Sequence, residues 1–120
     1  MKNLAEKYLE FLEAIGDCEI EKIAKIIPFY TDTKIKKILN GNLECSTQTE
    51  LATQLSEVRR VVGKCSFDLL DSFSDQSQNK AVIKYQLNSE HSGSFLTIAI
   101  LKFNQDKNVS VIDEVYIPLK

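Results

Sequence analysis

The spacing of apolar residues changes once along this chain, near residue 64, and that change limits what the chain can fold into. Before it, apolar side chains recur every three or four positions; after it, they alternate. Leu4, Tyr8, Phe11, Leu12 and Ile15 fall on one helical face, with Glu6, Lys7, Glu10 and Glu13 opposite. Gly16 then reads as a helix stop. Asp17 reads as the N-cap of a second helix, whose buried stripe is Ile20, Ile23, Ala24 and Ile27. Pro28 ends it, because proline disfavours a helical residue before it. Thr47-x-x-Glu50 is a capping box, followed on one face by Leu51, Leu55, Val58 and Val62, with Gly63 closing a third helix. Between the second and third helices, FYTDTKIKKIL reads as a loop entering a short strand with Ile35 inward, and NGNLECS reads as loop.

Beyond Lys64 four segments alternate with period two: CSFDLLDSF, KAVIKYQL, FLTIAILKF and VSVIDEVYI. Short polar turns join them, which implies an antiparallel meander. The expected class is α+β, three N-terminal helices packed on a curled antiparallel sheet. In the last strand Val109, Val111, Asp113, Val115 and Ile117 share one face, and Ile112, Glu114 and Tyr116 the other. Three helices cover only one face of such a sheet, so the outer face is expected to meet a second copy of the chain.

Composition excludes several function classes. A net charge of −2, with lysines interleaved among acids, gives no electrostatic reason to expect nucleic acid or a membrane surface as partner. The N-terminal stretch is amphipathic and acidic rather than a secretion signal, so a cytoplasmic location is expected. Cys18, Cys45 and Cys65 are widely separated and far in sequence from His91, the sole histidine, so no disulfide framework and no metal site is expected. The four glycines fall at helix ends or turns, not in a phosphate loop, and no cofactor is implied.

Two helices around GD, the FYTD segment, a capped third helix and a meander ending VSVIDEVYI make a pattern that resembles the nuclear transport factor 2-like superfamily, in particular its SnoaL-like and ketosteroid-isomerase-like branches. The resemblance spans nearly the whole chain as one SnoaL-like domain, residues 1–120. It implies a cystatin-like cone whose sheet wraps the helices around a mostly apolar cavity, and pairing of two copies through the outer sheet face. It also implies several possible activities, since isomerases, polyketide cyclases, dehydratases and hydrolases share this fold.

Isomerase-like members use a pocket carboxylate as base, and aligning FYTDTKIKK with them puts Lys36 and Lys37 at that place, where both read as surface lysines. Cyclase-like members carry an acid–base carboxylate near the end of the last strand, which leaves Glu114 or Asp113, whichever faces inward, as the catalytic candidate. The bland alternative is an acid paired across the sheet with Lys84 or Lys102. Tyr30, Tyr85 and Tyr116 are the candidates for orienting a ligand through their hydroxyls. Three functions are therefore open. They are a domain whose cavity binds a small apolar or amphipathic molecule, an isomerase-, cyclase- or dehydratase-type enzyme, and an interaction module with a filled interior.

Overall fold

The computed structural model describes residues 2–119. Helix α1 (Leu4–Asp17) is capped by Asn3, whose side chain accepts from the Glu6 amide while Glu6 reaches back to the Asn3 amide. It runs through Gly16 to Asp17 rather than stopping at the glycine. The glycine serves a close approach instead: a Cβ there would stand 2.7 Å from the Cys65 carbonyl oxygen and 2.8 Å from the Phe67 ring. Any side chain at position 16 would push α1 off the sheet.

The expected second helix is broken into short pieces, a 3-10 turn at Ile20–Lys22, α2 (Ile23–Ile26) and a second 3-10 turn at Ile27–Phe29. Asp17 ends α1 instead of capping this segment. Ile23 and Ile27 still deliver the expected buried contacts, and both are at most 1% exposed. Helix α3 (Gln48–Val62) begins at Thr47, whose hydroxyl accepts from the Glu50 amide, and ends at Gly63 with φ of 78°.

The sheet has six strands in the order β2-β1-β6-β5-β4-β3. They are β1 (Thr31–Leu39), β2 (Asn42–Cys45), β3 (Cys65–Asp75), β4 (Lys80–Ser89), β5 (Gly93–Phe103) and β6 (Val109–Pro118). The expected meander is β3 to β6, all antiparallel. The sheet as a whole is mixed, because β1 lies parallel to β6. The connecting helix and meander between β1 and β6 supply the long path that a parallel pair requires. NGNLECS is not loop: Asn40 and Gly41, both with positive φ, form a two-residue turn that pairs β2 with β1.

Helix α1 packs on β3 and β4, and α3 on β1 and β2. Between them Leu4, Phe11, Ile35, Leu51, Ile83 and Leu101 are almost fully buried. In β6 the face assignment holds for Ile112 and Glu114, which are buried, and for Asp113 and Val115, which are exposed. Val109 departs from it: an irregularity where β5 and β6 pair turns its side chain inward.

Candidate functional site

The helices do not fill the cone. A cavity of about 450 Å³ remains between α1, α3 and the inner sheet face. Phe11, Leu12, Ile15, Leu55, Leu87 and Ile112 make much of its wall, and Val58, Val61 and Tyr116 stand near its open side. The interior is therefore not closed by its own side chains, which removes the premise of the filled interaction module.

One part of this apolar wall is polar. Lys37 Nζ lies 3.3 Å from Glu114 Oε1 and donates to Gln54 Oε1 at 2.9 Å. The Tyr85 hydroxyl donates to Glu114 Oε2 at 3.2 Å. All four side chains line the cavity. Lys37 and Glu114 are 6% and 8% exposed, so this ion pair lies inside the molecule. Their positions follow from strand period. Ile35 faces the core, so Lys37, two residues on, faces it too. In the parallel pairing Lys37 stands opposite Ile112 and Leu39 opposite Glu114, which sets the lysine and the acid diagonally across the inner face. Gln54 reaches down from α3 and Tyr85 comes from the middle of β4.

Lys37 is thus not a surface lysine, whereas Lys36, its neighbour, is exposed. Glu114 pairs with neither Lys84 nor Lys102, whose strand positions lie on the outer face. Asp113 is exposed on that outer face, opposite Ile100 of β5, and does not reach the cavity. Of the three tyrosines, Tyr85 is buried beside Glu114 and Tyr116 stands at the cavity edge, its ring against Phe95. Tyr30 lies outside, donating to Glu10 at 3.1 Å. His91 is exposed in the β4–β5 turn beside Glu90. Among the described residues no cluster of His, Cys, Asp and Glu could hold a metal ion, and no helix is long and apolar enough to cross a membrane.

Burial, and secondarily the negative charge of Glu114, pushes the Tyr85 hydroxyl well above the usual tyrosine range; Tyr8, also at the wall, is raised for the same reasons. Both are therefore proton donors at any neutral pH. Because their folded-state values lie above the unfolded value of about 10, their contribution to stability is complete below that pH and is lost as pH rises beyond it. Ultraviolet titration should show Tyr8 and Tyr85 ionising only together with unfolding, in one cooperative step above pH ~10.

A second cation borders the cavity. Arg59 of α3 is 6% exposed; its Nε donates to the Gly63 carbonyl at 2.8 Å and its Nη1 to the Ile15 carbonyl at 2.6 Å. It ties the C-terminal ends of α1 and α3 together. Gln54 and Arg59 carry no signal in the sequence, since each lies among other polar residues of α3.

No protein-family profile matches the chain, and no curated protein does. Many solved structures share its architecture. One is a candidate isomerase of the SnoaL-like family from Agrobacterium tumefaciens, 13% identical, covering 95% of this chain and 94% of that one with a TM-score of 0.74. Another is a candidate SnoaL-like polyketide cyclase from Shewanella putrefaciens, 12% identical, covering 97% and 90% with a TM-score of 0.75. A third is an LEH-like epoxide hydrolase from M. tuberculosis, 9% identical, covering 95% and 82% with a TM-score of 0.73. The chain shares the fold of solved structures described as NTF2-like and SnoaL-like. At such identities the likeness concerns fold alone, and the neighbours span more than one chemistry.

Proposed function

We propose that this chain is a binding domain for a small, largely apolar molecule with one polar end. The observation that carries it is an open apolar cavity of about 450 Å³ whose wall presents Lys37, Glu114, Tyr85 and Gln54 as one connected polar group. A pocket of that size, mostly apolar with a few convergent polar groups, suits a small organic ligand. The ammonium of Lys37 has three hydrogens and two described partners, which leaves a donor for a ligand carbonyl or hydroxyl. The test is a thermal-shift series of apolar alcohols and ketones on the wild type and on Leu55→Trp, which fills the cavity. A ligand that binds only the folded state raises its melting temperature with concentration. The shift should occur in the wild type and vanish in the variant; equal shifts in both, or none in either, would count against the proposal.

An enzymatic function is favoured by one feature: a carboxylate and an ammonium sit side by side in the same water-poor cavity. Lys37 would stabilise an oxyanion forming on a carbonyl, while Glu114 moves the proton from the adjacent carbon. Deuterium exchange from D2O into that carbon of a bound ketone, lost in Glu114→Gln, is the expected sign. No exchange above the rate in buffer would remove this function and leave binding intact.

The outer sheet face is assigned here to a second copy of the chain. Phe73, Val82, Ile98, Ile100, Val115 and Ile117 are exposed side by side, and a contiguous apolar face marks an interaction site. Asp113 lies on that face with Lys84 and Lys102, so two-fold pairing can set acid against lysine reciprocally. Sedimentation should give a dimer for the wild type and a folded monomer for Ile100→Asp; a wild-type monomer at micromolar concentration would rule this partner out.

A further inference from the structure

The charges at the cavity wall do not balance. Lys37 and Glu114 compensate each other, but Arg59, buried to the same degree, has no carboxylate within 4.0 Å among the described residues. The only other acid at the wall, Glu57, is exposed. Two buried cations and one buried anion leave one positive charge in an apolar enclosure, a costly arrangement without an anion. The carbonyls of Ile15 and Gly63, at the negative ends of α1 and α3, offset part of that cost and occupy Nε and Nη1. Nη2 makes no hydrogen bond to a described residue, and among the described residues no buried side-chain nitrogen or oxygen lacks a partner, so this group reaches open space. Arg59 is one of the residues that line the cavity.

Arg59 follows Gln54 by five positions on α3, a rise of about 7.5 Å. The cavity thus has two polar points, the neutral group at Lys37–Glu114 and a cation further along the helix, with apolar wall between. We infer that the ligand is an apolar monocarboxylate whose carboxylate is received by the Arg59 guanidinium. This rests on the binding function proposed above; it gives the ligand a charge and places its polar end at Arg59 rather than at the Lys37–Glu114 group. A guanidinium suits a carboxylate because its planar N–H groups match two oxygens, and its strength rises where water is excluded.

Decanoate, decanol and decylamine share one chain and differ in head group, and isothermal titration of each into the wild-type protein separates the possibilities. Decanoate should bind at least tenfold more tightly than decanol, and decylamine more weakly than both. In a 1H–15N spectrum of the wild type, the Arg59 Nε–H resonance should shift with decanoate and stay in place with decanol. Arg59→Gln should bring decanoate to the level of decanol. Binding of all three with equal affinity would overturn the inference and leave the binding function standing, whereas no binding by any of them would overturn both. A preference for decanoate with an unmoved Arg59 resonance would place the anion elsewhere and overturn the assignment. The two wild-type measurements decide the matter even where Arg59→Gln fails to fold.

Discussion

Replacing Lys37 by methionine should destabilise the protein by about 3 kcal/mol, and replacing Glu114 by leucine in the same chain should restore most of the loss. The single change leaves Glu114 in an apolar wall with the Tyr85 hydroxyl as its described donor. Removing one member of a buried ion pair costs ~3–5 kcal/mol, mainly because the other charge remains without compensation. The Tyr85 hydroxyl still donates to Glu114 in the single variant, so the lower end of that range applies here. The double change removes both charges, and an apolar replacement of a buried pair is often neutral or stabilising by ~1–4 kcal/mol. The orphaned Tyr85 hydroxyl and Gln54 amide cost part of that gain. Urea denaturation of the four proteins in the cycle measures the coupling directly. Set against a total stability of about 5–15 kcal/mol for a domain of this size, the single variant should lose its folding transition at markedly lower urea. A Lys37→Met protein as stable as the wild type would mean that the ion pair does not form.

Phe11→Ala should cost about 3–5 kcal/mol and widen the cavity at the same time. Phe11 is 2% exposed, its ring tilted against those of Tyr8 at 5.8 Å and Tyr30 at 5.4 Å, and it contributes to the cavity wall. Truncation removes a ring whose contacts hold α1 against the start of β1. Because the vacated space opens onto an existing cavity, a bulkier ligand can occupy it. Branched or cyclic ligands too wide for the wild type should therefore bind the variant and recover part of its stability by mass action. Urea midpoints with and without such a ligand test both halves; a variant that loses stability but gains no tolerance for wider ligands would separate Phe11 from the cavity.

The parts of the fold legible in the sequence were those with strong local signals. The meander announced itself by alternation and short polar turns, and α1 and α3 by apolar stripes with a cap before each. The failures were local signals overruled by tertiary contact. Gly16 resembled a helix stop, yet the strand against it requires the absence of a side chain there. Ile20 to Ile27 has the periodicity of one helix but packs against α3 as a 3-10 turn and the short α2, with a second 3-10 turn after them. The parallel pairing of β1 with β6 joins opposite ends of the chain, and no local pattern encodes it. The Asn40–Gly41 turn, by contrast, is encoded locally, because Asn-Gly is the dipeptide that a two-residue hairpin turn with positive φ favours.

The site was half legible. The resemblance to cyclase-like members pointed to Glu114 or Asp113, alternation left the choice between them open, and Tyr85 stood out by its hydroxyl. Lys37 could have been found by the same alternation, since Ile35 was placed inward and Lys37 is its next neighbour on that face. It was missed because lysine is ordinarily a surface residue and its compensating acid lies at the far end of the chain. Arg59 could not have been found that way, because what buries it is the meeting of two helix ends in space.

The central claim is that the cavity receives a small apolar ligand against the Lys37–Glu114 group. A titration of decanol into 15N- and methyl-labelled protein, followed by NMR, tests it most directly. Saturable shifts should gather on Ile15, Leu55, Leu87 and Ile112 and on the side-chain amide of Gln54, with the outer-face residues Val82, Ile98 and Ile100 unmoved. Shifts gathered on the outer face, or none at saturating decanol, would contradict it.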